Sequence, residues 1–126
     1  MPSASKTLGF ELLSVDPEAG TVEVAFTAKD SFPNPVGVIQ GGFLAAMLDE
    51  TLGPALVAAL GPDRFAPSAD LHIQYLRSAK PGRLVDRGRV LKKGRGIAFM
   101  SGELVDKSGA VLTMAVATAS IRRLRS

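Results

Sequence analysis

Two acidic residues within an apolar segment are the first candidates for chemistry. Asp49 and Glu50 are the only charged residues between Asp30 and Asp63, and the segment around them is rich in Ala, Leu and Met. A carboxylate in an enclosed helix is costly unless it is paired, hydrogen-bonded or used as a base or nucleophile. The alternative is that both acids lie on an exposed stripe. Adjacent helical residues point about 100° apart, so at most one of them faces a given pocket squarely.

Two glycines, Gly41 and Gly42, open the same segment, which predicts a helix from Gly41 to about Leu60. Unpaired N–H groups and the positive end of the helix dipole face any carbonyl or anion that approaches a helix start, and glycine lets it come close. An oxyanion contact at Gly41 is therefore one interpretation. An ordinary helix start is the other.

The remaining residue types exclude several kinds of site. The single histidine, His72, has no second histidine to complete a metal site or a triad, so we interpret it as structural. There are no cysteines, which excludes thiol nucleophiles, disulfides and thiolate metal sites. No P-loop, dinucleotide fingerprint or zinc-ligand spacing is present, so neither a metal nor a bound cofactor is predicted.

The strands and the helix that must position these residues are predicted from the glycines and prolines that interrupt the β-leaning and helical segments. Two β-leaning segments precede the helix and four follow it: Leu8–Val15, Thr21–Ala28, Ser68–Leu76, Arg83–Lys93, Ile97–Val105 and Val111–Ile121. The chain has 126 residues, 46 % of them apolar, so we predict one globular domain spanning residues 1–126.

The helix has almost no polar face, which predicts that the strands curl around it. This is an α+β hotdog fold, an antiparallel sheet of five to six strands wrapped around one long central helix. The last strand is apolar on both faces, with Val111, Ala115 and Ala117 on one and Leu112, Met114 and Val116 on the other. An apolar outer face predicts contact with another copy of the chain.

Charge is distributed unevenly along the chain. Residues 1–76 carry three basic and nine acidic side chains, and residues 77–126 carry twelve basic and three acidic ones. The basic half indicates either an anionic partner or a solvated strand surface. Because no aromatic residue lies between Arg77 and Arg95, we do not expect a nucleic-acid partner. The apolar segment is interrupted by acids, and residues 1–6 have no apolar run, so we expect no membrane partner and a cytoplasmic location.

Residues 34–49, NPVGVIQGGFLAAMLD, resemble the signature of the PaaI-like (phenylacetate-degradation-type) hotdog thioesterases. That signature is Asn, five residues, His-Gly-Gly and six residues to an Asp or Glu. The similarity continues through residues 66–71, 75–82 and 91–95. The resemblance implies an acyl-CoA or aryl-CoA thioesterase that uses no cofactor besides the coenzyme A of its substrate.

The resemblance also implies a role for each matching residue. Asp49 is the catalytic carboxylate, as nucleophile or as base, and Gly41 donates its N–H to the thioester oxygen. Asn34 lies beside the thioester and the attacking water, and Ser68 helps to hold that water. Gln40 replaces the family's histidine and, unlike histidine, cannot become a cation, which affects rate and substrate choice.

A basic cluster formed by Lys92, Lys93 and Arg95 falls where relatives often contact the phosphates of coenzyme A. The alternative function is a hotdog protein that binds an acyl or aryl ligand without hydrolysing it, which the substitution at Gln40 favours. A tight complex without turnover would identify it.

The spacing of Gly41 and Asp49 predicts an oligomer. Eight residues along a helix span about 12 Å, whereas an oxyanion donor and a base must each lie about 3 Å from the same reacting group. One straight helix cannot supply both, but Gly41 of one subunit and Asp49 of another can. We therefore predict at least a homodimer, and from the apolar outer face a homotetramer.

Overall fold

The computed structural model describes residues 8–28, 37–39, 41–60, 64–65 and 68–123, without the side chains of 53–60, 64–65, 68–69 and 123. Its elements are β1 (Glu11–Asp16), β2 (Thr21–Ala28), α1 (Gly41–Leu60), β3 (Arg64–Phe65), β4 (Ser68–Tyr75), β5 (Gly82–Lys93), β6 (Ile97–Val105), β7 (Val111–Ser120) and β8 (Arg122–Arg123). The predicted order of two strands, one helix and four strands is confirmed. The short β3 and β8, which the sequence does not predict, pair with each other.

The main sheet has six strands in the order β1-β2-β5-β6-β7-β4, and every neighbouring pair is antiparallel. β1 and β4 are therefore its two edges. Acidic side chains organise two of the turns: the Asp16 carboxylate accepts from the N–H groups of Glu18 and Ala19, and the Asp106 carboxylate accepts from those of Ser108 and Ala110. These are the turn positions that Asp favours for this reason.

The strand register defines two rows of residues at opposite ends of the sheet. The tyrosine row consists of Asp86, Leu104, Thr113 and Tyr75, side by side on β5, β6, β7 and β4. The lysine row consists of Lys93, Ala98, Ala119 and Ser68 on the same strands. From Ala98 to Leu104 the strand β6 spans about 20 Å at 3.3 Å per residue, which separates the two rows.

Helix α1 packs on the inner face of the sheet and runs from the tyrosine row towards the lysine row. Near its start, Leu44, Met47 and Leu48 are buried in one cluster with Leu84 and Leu104. Further along, Leu52 is buried in a second cluster with Ala98, Met100, Ala117 and Ala119. No helix within the described residues is long and apolar enough to cross a membrane.

A pair of glycines lets α1 approach the sheet closely. Gly88 on β5 lies opposite Gly102 on β6. A Cβ on Gly88 would lie 3.1 Å from Cγ2 of Thr51, and one on Gly102 would lie 3.3 Å from side-chain carbons of Leu48 and Leu52. These distances are shorter than ordinary van der Waals contacts, so the helix packs at a separation that needs bare backbone at both positions.

The outer face of the sheet is apolar where β7 crosses it. Met114 and Val116 are 44 % and 52 % exposed, whereas Ala115 and Ala117 are buried. The prediction of two apolar faces is therefore confirmed, except that Leu112 does not belong to the outer one. Leu104 pairs with Thr113 and Val105 with Val111, so Leu112 is an extra residue in the ladder and is buried.

Candidate active site

The start of α1 lies against a tyrosine from the edge strand β4. The Tyr75 hydroxyl donates a hydrogen bond to the Gly41 carbonyl at 3.0 Å. A Cβ on Gly41 would lie 3.0–3.2 Å from the phenol ring and its oxygen. Only glycine fits there without moving the ring, so this contact fixes both the residue type and the position of the first helical turn.

A cavity of about 310 Å³ opens beside this contact, lined by Val38, Ile39, Gly41, Leu44, Tyr75, Leu76, Arg77, Ser78 and Ala79. Two hydrogen bonds hold its rim. The Ile39 N–H donates to the Ala79 carbonyl at 2.7 Å, and the Arg77 guanidinium donates to the Val111 carbonyl at 2.7 Å. The mixture of apolar walls with a helix start suits an acyl group whose carbonyl approaches backbone N–H groups.

The acidic pair lies two turns further along the same helix. Asp49 is exposed and Glu50 is half-buried, while the neighbouring Met47 and Leu48 are completely buried. The expectation of a fully enclosed helix is therefore wrong for Asp49 within a single chain. The sheet covers only one side of α1, and the uncovered side carries Gly42, Ala45 and Asp49 at helical spacing.

Three of the predicted site residues cannot be placed by their side chains. Asn34 and Gln40 lie outside the described residues. Ser68 is the first residue of β4 and pairs with Ala119 in the lysine row, but its side chain is also outside the described part. Their predicted roles stay predictions.

The basic cluster lies at the far end of β5 from Gly41. Lys92, Lys93 and Arg95 are all exposed, and Lys93 belongs to the lysine row. Lys92 and Arg95 border an apolar cavity of about 350 Å³ that includes Ile97 and Phe99. In one chain the cluster and the tyrosine row are therefore at opposite ends of the sheet.

His72 lies on the outer face, away from α1. Its strand neighbours Leu71 and Ile73 pack against the core, so the alternation of β4 turns His72 outwards, where it is exposed. Among the described residues, no group of three His, Cys, Asp or Glu side chains could hold a metal ion.

Residues 36–113 match the family model of the thioesterase superfamily. The chain belongs to that superfamily. The match contains all of α1, the strands β3 to β6 and the start of β7, so Gly41, Asp49 and Tyr75 fall within it. The hotdog fold expected from the sequence is confirmed by the six-stranded antiparallel sheet packed against α1 and by the match to this superfamily.

Relatives of this thioesterase-superfamily chain include human acyl-coenzyme A thioesterase 13, which is 33 % identical over 92 residues. The match covers 71 % of this chain and 64 % of the human protein, less than two thirds of that relative's length. A phenylacetic acid degradation-related protein of Ralstonia eutropha JMP134 is 37 % identical with a TM-score of 0.91, covering 95 % of this chain and 90 % of that one. The E. coli PaaI protein, 20 % identical with a TM-score of 0.88 over 99 % of this chain and 86 % of that one, agrees in fold.

Sequence reasoning missed the contact between Tyr75 and the start of α1. Tyr75 is the single tyrosine of the chain, and it lies 34 residues from the glycine that it contacts. Two features of the sequence could have pointed to Tyr75: the chain has no other tyrosine, and Tyr75 is the last residue of its strand. The contact itself depends on how the edge strand lies beside α1.

Proposed function

We propose that this protein hydrolyses the thioester bond of an acyl-CoA or aryl-CoA to a free acid and coenzyme A. The observation that carries the proposal is the superfamily match, which runs through a glycine-led helix that also bears Asp49. The relatives named acyl-coenzyme A thioesterase 13 support the same reaction. The substrate brings the coenzyme A, and no other cofactor is proposed. A cytoplasmic location and a single domain over residues 1–126 stay predictions of the sequence.

The reaction needs a carboxylate and an oxyanion donor. Asp49, as base or as nucleophile, promotes addition of oxygen to the thioester carbonyl, and the Gly41 N–H stabilises the negative charge that develops on the carbonyl oxygen. Collapse of that adduct breaks the carbon–sulfur bond, and the thiolate takes up a proton. Water supplies the oxygen that ends in the acid.

Both residues lie on one unbroken helix, which supports a site shared between subunits. Gly41 and Asp49 are both within α1, about 12 Å apart along its axis. A single chain therefore cannot bring both groups to one carbonyl. The exposure of Asp49 on the uncovered side of α1 is compatible with a partner supplying the glycine.

The edge strand β4 is the surface through which we propose the dimer forms. Pairing of two β4 strands about a two-fold axis, with both helices on the same side, is antiparallel. It brings the partner's tyrosine row beside this chain's lysine row. The partner's helix start would then approach the end of the sheet that carries Lys93, the end towards which α1 runs. The apolar outer face with Met114 and Val116 supports further pairing of two dimers into a tetramer.

A first prediction concerns the basic cluster. We expect the triple variant Lys92→Gln/Lys93→Gln/Arg95→Gln to raise KM for acyl-CoA about tenfold with kcat nearly unchanged, because exposed ionic contacts contribute uniform binding of up to ~1 kcal/mol each. The effect should shrink as salt rises, since exposed charges are screened. Steady-state kinetics at low and high salt measure both effects.

A matched control removes basic charge at the other end of the sheet. Lys80 and Lys107 are exposed and flank the tyrosine-row end, so Lys80→Gln/Lys107→Gln tests for a general effect of net charge. An equal rise in KM in the control variant, or an unchanged KM in the triple variant at low salt, would remove the basic cluster from the coenzyme A site.

The proposed function is tested with a panel of acyl-CoA and aryl-CoA substrates assayed for release of free thiol. We expect turnover of at least one chain-length or ring class at a kcat of about 1 per second or more, the usual range for enzymes. Tight binding across the panel without thiol release would instead identify the non-catalytic ligand-binding protein.

A further inference from the structure

A buried carboxyl group lies beneath the helix turn that carries Asp49. Asp86, on the inner face of β5, is completely buried. Within the part of the chain that the structure describes, neither of its carboxyl oxygens makes a hydrogen bond with good geometry. A buried polar group without a partner lowers the stability of the fold, so a carboxyl group at this position is expected to have a function.

Among the described residues, the inner-face neighbours of Asp86 are apolar apart from the hydroxyl group of Thr51. The cross-strand neighbours of Asp86 are Val24 on β2 and Leu104 on β6, both completely buried. Across the space above Gly88 and Gly102 lies α1, with Leu48, Thr51 and Leu52 against the two glycines. Oδ1 of Asp86 is 3.5 Å from the place where a Cβ of Gly102 would be, so the carboxyl group enters the same space.

The charged groups near this position belong to other surfaces. Arg87, next along β5, and Glu103, next to Leu104 on β6, form an exposed ion pair on the outer face. On α1, Asp49 is exposed and Glu50 half-buried. Thr51 is the polar side chain of the helix that is completely buried here, and its hydroxyl donates to the Met47 carbonyl at 3.0 Å.

Burial keeps Asp86 protonated. It raises the pKa of this carboxyl from 3.8 to about 8. The Thr51 hydroxyl and the Arg87 N–H, which favour the charged form, offset only part of that rise, and the negative charge of Glu103 adds to it. At neutral pH the group is therefore a neutral acid with a proton to donate.

We propose that Asp86 is a positioning residue whose protonated carboxyl donates to the Thr51 hydroxyl, which donates in turn to the Met47 carbonyl. This relay would fasten the turn of α1 between Met47 and Thr51, which contains Asp49, to the sheet. This proposal rests on the proposed function only because it takes Asp49 to be the reacting carboxylate. Loss of the Asp86 proton would remove the donor of this relay and so release that turn.

The pH dependence has a definite sign. The unfolded chain releases the Asp86 proton near pH 3.8, whereas the folded chain keeps it to about pH 8. The folded state therefore binds more protons between these values, and its stability from this group falls as pH rises through that window. Asparagine at this position is neutral throughout and still donates through its amide.

The first test compares pH profiles of kcat, corrected for uncatalysed thioester hydrolysis. The wild-type kcat should fall up to tenfold per pH unit above about pH 8, whereas Asp86→Asn should match wild type within about twofold at pH 7 and lack this decline. Asp86→Leu, of similar size but with no donor, should have at every pH a kcat about tenfold below the wild-type value at pH 7, with KM little changed. An alkaline decline that persists in Asp86→Asn overturns the proposal, as does wild-type kcat in Asp86→Leu.

The second test needs no activity, so it separates failure of this proposal from failure of the proposed function. Amide hydrogen exchange over residues 47–52 is measured by mass spectrometry in wild type and Asp86→Asn. The exchange rate of wild type divided by that of Asp86→Asn should be near one at pH 6.5 and at least ~10 at pH 9.5. In a Thr51→Val background, which removes the acceptor, Asp86→Asn should no longer slow exchange at pH 9.5. A ratio near one at both pH values overturns the proposal, as does a difference that survives Thr51→Val.

Discussion

Asp49→Asn is expected to lower kcat by at least ~100-fold while the fold and the oligomer are retained. Asparagine has the same shape but can neither accept a proton from water nor attack the thioester, and a positioned base is worth 10²–10⁴-fold in rate. Because Asp49 is exposed in the single chain, its replacement should cost little stability. Thiol release under saturating substrate, with a thermal melt and a native mass, measures all three properties.

The neighbouring acid provides the matched control. Glu50→Gln makes the same chemical change one residue away, where the side chain points about 100° around the helix and is half-buried. We expect a loss of less than ~10-fold. If Glu50→Gln proves the more damaging of the two, the catalytic carboxylate has been assigned to the wrong residue.

Recovery of activity by mixing two inactive variants is the second large effect. One parent carries Asp49→Asn and the other Gly41→Pro, which deletes the N–H of the first helical residue. Because that N–H has no partner within the helix, proline at this position removes no helical hydrogen bond. Unfolded together and refolded, the two should form heterodimers in which one site carries both defects and the other neither. About half of randomly paired dimers are mixed, so roughly a quarter of wild-type activity should return.

The contact with Tyr75 supplies the control for this experiment. Proline at Gly41 also adds a Cβ within 3.0 Å of the phenol ring, which Gly41→Ala adds without removing the N–H. If the proline variant loses much more activity than the alanine variant, the additional loss is therefore due to the missing N–H donor. No recovery in mixtures whose heterodimers are confirmed by native mass spectrometry would place the whole site within one chain. The same spectra give the number of subunits.

The regular elements were predictable because their signals are local. The helix Gly41–Leu60 and the strands Thr21–Ala28 and Ile97–Val105 have the predicted bounds, since glycine or proline lies next to most of their ends and their composition is uniform. The pair β3–β8 was not predictable, because two-residue strands such as Arg64–Phe65 exist only through a partner distant in sequence. The inward turn of Leu112 likewise follows from a bulge that the alternating pattern cannot show.

The candidate site was predictable in part. The residue types and spacing of Gly41 and Asp49 identify a helix start and a carboxylate, but they do not say which side of the helix the sheet leaves open. That depends on the crossing of α1 over β5 and β6. The burial of Asp86 was hidden for a related reason, since an aspartate in a strand of alternating polarity gives no sign of which face is enclosed.

The close approach at Gly88 and Gly102 has a consequence for how sequences of this fold can vary. A methyl group at Gly88 would be accommodated most directly by removing Cγ2 of Thr51, as serine or alanine does, because Cγ2 is the nearest atom to the new Cβ. Position 88 and position 51 should therefore covary inversely in size, although 37 residues of chain separate them. A larger side chain at either position alone would lift α1 from the sheet and carry the turn with Asp49 with it, so enlargement at one position is expected only together with a smaller residue at the other.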